Sequence, residues 1–470
     1  MGGGDGKLKR QASQMQLTDI PQVVKDLKAA QDSATKEKLV HLIDCLSVQA
    51  DKNPSTLVAA GVIKPLVDLL DNGNDGCQVH ASSTLATIAA SNSDFQMKIV
   101  DAGAIPPLVQ ILKSGSNKAQ VFAAYAIAEL SEQRSQQDPI VRAGAVVPLV
   151  RLLRSDVTED AHLHAADAVA NLSVGNTKSQ KAFFEAGAVP LLLDQLYSGK
   201  SQMSVANAIA KLLSPGAEPG AKANTAVQSE IMEKGGIAPL LALLNAMSVE
   251  AQVNAAEALS NLARDNPETQ MAIAKAGGIA PLLAMLPCKS QEAQAQGASA
   301  LAQLTRYNRE NQSSFSKQGG IQQLVPLLTN KNLTVQAMAA LCLTEVVKDN
   351  RENQTLASET GCIANLVDQL KNNDRAPGVE EVKAEAVRTP TTTLARVPSP
   401  PLHAHLCTLP SPSPHPPALT PLPSLPSPRS PSPLHPPLTP PCRRAPSGYS
   451  RTIMIRTSRR SRTRAESSRR

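Results

Sequence analysis

Four histidines in the body of this 470-residue chain, seven cysteines and several Gly-Gly pairs are the residues whose types could do chemistry. His162 and His164 stand two apart, and residues two apart on a helix point in different directions. Helical zinc sites use facing i, i+4 pairs, and no third ligand is evident, so no metal is expected. The cysteines are odd in number and contain no C-x-x-C pair. They read as reduced thiols of an intracellular protein rather than as a disulfide framework. The Gly-Gly pairs precede apolar runs, but neither G-x-G-x-x-G nor G-x-x-x-x-G-K-[ST] occurs, and a break between helices accounts for them. No Ser/His/Asp or Cys/His arrangement stands out. No catalytic residue, cofactor or small-molecule substrate is therefore expected, and the chain reads as a non-enzyme. One modification motif is present, KRQAS, which offers Ser13 to a basophilic kinase.

Charge divides the chain. Residues 386–470 hold thirteen Arg, no Lys and a single acid, Glu466, which makes +12. The whole chain carries +7, so residues 1–385 carry −5. The basic character belongs to the tail, and the body is not expected to bind nucleic acid. Aromatic residues are scarce, with no Trp, four Tyr and five Phe. A core built from Leu, Ile, Val and Ala favours thin, stacked helical layers.

The elements that must position any functional residue repeat along the sequence. GVIKPLVDLL, GAIPPLVQIL, GAVVPLVRLL, GAVPLLLDQL, GGIAPLLALL, GGIAPLLAML, GGIQQLVPLL and GCIANLVDQL begin at Gly61, Gly103, Gly144, Gly187, Gly235, Gly277, Gly319 and Gly361. The intervals are 42, 41, 43, 48, 42, 42 and 42, the long one holding an insertion, SPGAEPGAKANT, after Leu213. Each unit reads as three helices. The first ends at the glycine, which takes a left-handed conformation at low cost. The second opens with Pro in its first turn, as at Pro107 and Pro281. The third is longer and Ala-rich. Its small column (Ala124, Ala166, Ala206, Ala256, Ala298, Ala340) and branched column (Ile127, Val169, Ile209, Leu259, Leu301, Leu343) form a stripe that only a neighbouring copy can cover.

A period near 42 with three helices and an [AG]-G-x-[IV]-x-P-L start resembles the armadillo repeat family over residues 19–385. In style the repeats are similar to those of vacuolar armadillo protein, plant armadillo arrays and the catenin group. The resemblance implies an all-α fold, an armadillo-type α-solenoid whose three-helix repeats wind into a right-handed superhelix. It also implies a concave groove lined by the third helices, where an Asn column bonds the backbone of an extended peptide. Carried over by position, that column is Thr87, Glu129, Asn171, Lys211, Asn261, Gln303 and Glu345. Four residues earlier lie Ser83, Tyr125, Asp167, Asn207, Glu257, Ser299 and Leu341. One turn before those come His80, Phe122, His164, Ser204, Asn254, Gln296 and Met338. The candidate groove residues are Phe122, Tyr125, Glu129, His164, Asp167, Asn171, Lys211, Asn254, Glu257, Asn261 and Gln303. Glu129, Asp167 and Glu257 would attract a basic or amphipathic segment, with Phe122 and Tyr125 as an apolar anchor.

The expected organisation is a flexible N-terminus (1–17), a degraded capping repeat (18–52), about eight repeats with the last cut short (53–385), and a disordered tail (386–470). Residues 389–447 contain 20 of the 36 prolines, and the final stretch is rich in Arg and Ser. The break in mid-repeat reads as a recent extension or as a gene-model artefact such as read-through of non-coding sequence. No secretory signal, membrane span or membrane tether is expected: MGGGDGKLKR has no apolar core, and Gly6 stands where myristoylation wants Ser or Thr. The expected function is a protein-interaction scaffold or adaptor, cytoplasmic or shared with the nucleus, whose partners are extended or amphipathic protein segments. A nuclear-transport adaptor of the importin-α type would need groove Trp, and the chain has none. The substrate-recognition part of a ubiquitin ligase would need a domain before the repeats, and about eighteen residues precede the first expected helix.

Overall fold

The computed structural model of the chain describes residues 3–49, 53–154, 158–198, 201–217, 223–362 and Asn365. All lie in one unit, Met1–Pro400. The Pro-rich and Arg/Ser-rich tail, and the third helix of the last repeat, lie outside the described residues. Every regular element among the described residues is helical.

The third helices carry the fold. They are α1 (Ser33–Ser47), α2 (Asp75–Ser91), α3 (Asn117–Leu130), α4 (Glu159–Ser173), α5 (Gln202–Leu213), α6 (Val249–Ala263), α7 (Gln291–Thr305) and α8 (Leu333–Val347). Each packs on the next in chain order. Most start at a side-chain cap: Asp32, Asn74, Ser116, Thr158, Ser248, Ser290 and Asn332 each accept an N–H of the first turn. The alanine column Ala124 to Ala340 and the branched column Ile127 to Leu343 are fully buried, as the repeat pattern requires. Small residues bring adjacent backbones close, and the branched ones fill the layer between them.

The glycines set the phase. All eight, Gly61 to Gly361, have φ between 75° and 89°. At Gly103 the geometry is the left-handed stop expected: Gly103 N donates to Val100 O and Ala104 N to Ile99 O, at 2.8 and 3.3 Å. The chain then turns directly into the second helix, Ile105–Ser114.

A second column was not foreseen. Seven residues before each glycine from Gly103 onward stands a glutamine: Gln96, Gln137, Gln180, Gln228, Gln270, Gln312 and Gln354. All seven are buried. Their amides bond the last carbonyls of the third helices, which have no partner within the helix. Gln180 donates to Ser173 O at the end of α4, and to Lys211 O and Ser214 O at the end of α5, at 3.0, 3.0 and 2.9 Å. Gln270 joins Ala263 O of α6 to Gln303 O of α7. Gln312 holds Glu345 O and Lys348 O at the end of α8. At Gln180 and Gln270 one amide thus satisfies two successive helices and fixes their spacing.

The N-terminus departs from expectation. Residues 1–17 were expected to be flexible, yet Gly3–Gln14 is helical. Its glycines disfavour a helix. Tertiary contact outweighs them: Ala12 is fully buried, Leu8 and Met15 pack on the core, and the segment lies against α1.

Gln270→Ala should lower stability in urea unfolding by about 1–3 kcal/mol, because two buried carbonyls lose their donor. The same change at the exposed Gln322 should leave the midpoint unmoved. Gly277→Ala should cost about 1–2 kcal/mol through backbone strain alone, since a Cβ there meets no neighbour within 4 Å.

Candidate functional site

The groove candidates fall on successive third helices, and the packing of those helices decides what each can offer. Phe122 and Tyr125 of α3 are half-buried, and the Tyr125 ring stacks on His164 of α4 with centroids 4.5 Å apart and planes 14° from parallel. A similar pair precedes it, His41 on His80 at 4.0 Å, with His80 Nδ1 2.8 Å from Asp44 Oδ2. Flat rings therefore bridge α1 to α2 and α3 to α4.

The amides face their neighbours. Asn171 Nδ2 donates to Ala128 O of α3 at 2.8 Å, and Asn261 Nδ2 to Ala210 O of α5 at 3.1 Å. Asn254 Nδ2 donates to Met203 O at 3.1 Å. Ala128 and Ala210 sit in the final turns of their helices, where carbonyls lack intrahelical partners. The amide that the family resemblance assigns to a peptide here also ties one third helix to the next.

The carboxylates are placed unequally. Glu257 Oε1 pairs with Lys211 Nζ at 2.5 Å, so this acid and this base neutralise each other across α5 and α6. Glu129 is buried, with 6% of its surface exposed. Asp167 is half-buried. Gln303 is buried, and its backbone carbonyl takes the bond from Gln270.

Ser13 is exposed but sits in the helix Gly3–Gln14, with its Oγ donating to Arg10 O at 2.8 Å. A kinase that reads extended substrate would have to unwind that turn. His162 is buried with Nε2 2.6 Å from Arg154 O. Among the described residues no three His, Cys, Asp or Glu come together as a metal site. Burial pushes the Cys342 thiol far above its ordinary range, which fits an inert core residue.

One cluster escaped the sequence analysis. After α6, α7 and α8 the chain passes through Arg264-Asp265, Arg306-Tyr307 and Lys348-Asp349, and the second residue of each pair has φ of 52°, 54° and 55°. Tyr307 is 70% exposed. Lys348 Nζ lies 4.2 Å from its ring centre and 3.1 Å from its hydroxyl, while the Arg306 guanidinium lies 5.5 Å from the ring. Arg306 also reaches Asp265 at 3.4 Å. The R-x-N and K-x-N spacing was visible, but the left-handed backbone was not.

The Armadillo/beta-catenin-like repeat family matches residues 50–90 and 92–132, the units whose third helices are α2 and α3. The chain is built of armadillo-like repeats. The SIL1/FES1/HPBP1 C-terminal domain family matches residues 227–364. No curated protein matches the sequence. Among solved structures, a crystallised engineered protein is 29% identical with a TM-score of 0.67, covering 82% of this chain and 93% of that one. Two further engineered proteins are 31% and 28% identical over 52% of this chain and 96% and 98% of theirs, with TM-scores of 0.46 and 0.45. Armadillo architecture generally serves protein–protein interaction.

The hydrogen bond and charge of Lys348, then those of Arg306, hold the Tyr307 phenol below its ordinary range. Lys348→Gln should move its titration upward, measured by NMR of the ring. The folded value is the depressed one, so this contribution to stability is present at alkaline pH and is lost as pH falls through it. The stability gap between native and Lys348→Gln chains should therefore widen as pH rises through that value.

Proposed function

We propose that this armadillo-repeat protein is a non-catalytic scaffold that holds extended or helical segments of partner proteins along the face of its third helices, in the cytoplasm and shared with the nucleus. The observation that carries the reading is the ring system of Phe122, Tyr125 and His164, which is incompletely covered and spans two helices in register. Aromatic side chains supply large contact area at low entropic cost, and hot spots concentrate on them. Asp167 lies beside this patch in the sequence of α4 and adds a carboxylate. Modest contacts summed over several repeats supply the rest of the affinity. Among the described residues no helix is long and apolar enough to cross a membrane. The absence of Trp removes the rings that an importin-type groove would use.

The test uses the partly open positions. Charge reversal at Glu129 would bury a lysine, and at Glu257 it would break the pair with Lys211. Phe122→Ala with Tyr125→Ala and Asp167→Lys avoids both faults. Affinity purification with the full chain should lose partners in this variant while circular dichroism keeps its helical signal. Recovery of the same partners in the same yield would remove this patch as the docking site.

A further inference from the structure

The turns after α6, α7 and α8 carry a feature that stacking does not require. Position by position, the left-handed residue after a third helix is Gly175, Asp265, Tyr307 or Asp349, with φ of 59°, 52°, 54° and 55°. Glycine takes that conformation freely and aspartate tolerates it. A bulky tyrosine there is an outlier, and such outliers gather at functional sites. Nothing in the core needs this ring, since it is 70% exposed in a chain with only four Tyr, five Phe and no Trp.

Cations surround it. Lys348 stands over the ring and on its hydroxyl, and Arg306 flanks it from the adjoining residue. Arg264 occupies the equivalent position one repeat earlier, where burial and the nearby Arg306 charge disfavour its protonated form while Asp265 supports it. The Nε atoms of Arg264 and Arg306 are buried without a hydrogen-bond partner. Two acids are adjacent, Asp265 and Asp349. The Asp265 link to Arg306 is 3.4 Å long with the Asp265 side chain 57% exposed, a weak pair in water that an incoming carboxylate can replace.

We propose that Tyr307, with Arg306, Lys348 and Arg264, is a docking hot spot for an acidic segment of a protein partner. The proposal rests on the reading that the chain binds protein segments, but it places this contact at the ends of α6 to α8, apart from the Phe122–Tyr125–His164 patch on α3 and α4. Arg306 presents a planar fork that matches a carboxylate, Lys348 adds a point charge, and the phenol donates a hydrogen bond. The ring supplies apolar area between the charges, the Tyr/Arg composition that hot spots favour.

The probe is a fluorescein-labelled peptide of alternating Glu and Gly bearing one photoreactive residue, added to the full chain. Tyr307→Gly relieves the backbone, so this variant should unfold at equal or higher urea while binding the peptide about fivefold or more weakly. Lys348→Gln should weaken binding to a similar degree. Cross-links mapped by mass spectrometry should fall on residues around Tyr307 and Lys348. Unchanged affinity in both variants, or cross-links confined to the Arg-rich residues 386–470, would overturn the proposal. So would cross-linking of single-stranded RNA at Tyr307 where the peptide leaves no cross-link. Any of these results leaves the outcome at Phe122 and Tyr125 to be judged by its own variants.

Discussion

Buried carbonyls at helix ends are the constraint on which this structure depends. Stacking the Ala-rich third helices removes their last turns from water, and each turn leaves carbonyls with no partner inside its helix. An unsatisfied buried acceptor costs about 1–3 kcal/mol, so a stack of such helices is unstable unless donors arrive from elsewhere. The glutamine column supplies them, and at Gln180 and Gln270 a single amide reaches two successive helices. Asn171 and Asn261 do the same service from the next third helix. The polar groups are thereby bound to the apolar pattern, since the alanine stripe can bury only where the amides can reach.

This coupling bears on function. A column of amides along a solenoid is open to a peptide only in the measure that the stack leaves it unspent. In this chain Asn171, Asn254 and Asn261 each give a hydrogen to a neighbouring helix, and Lys211 and Glu257 hold one another. Rings and turn residues are less committed to the stack. The half-buried Phe122 and Tyr125, and the exposed Tyr307, keep surface that packing does not consume.

Much of the fold was legible in the sequence because the repeat states it many times over. The glycine phase, the buried alanine column and the insertion after Leu213 follow from spacing alone, and each is found where the spacing puts it. The glutamines were equally periodic, seven residues before the glycines, but a polar residue on a short helix reads as solvated until the neighbouring helix end is located. The N-terminal helix was hidden for the opposite reason: Gly3, Gly4 and Gly6 argue against it locally, and only contact with α1 reveals why it forms. The direction of an Asn amide was beyond reach, because partner and neighbour attract it with the same chemistry. Tyr307 was invisible for want of its φ angle.

The insertion after Leu213 alters how the stack transmits load. Gln180 and Gln270 each grip the third helix behind them as well as the one ahead. Beyond the insertion, Gln228 reaches forward to Asn261 O and Arg264 O. The step from α5 to α6 is instead fastened from the other side, through Lys211 to Glu257, Asn254 to Met203 and Asn261 to Ala210. Tension at this joint is therefore borne in part by a charged pair between the third helices themselves, which added salt would weaken.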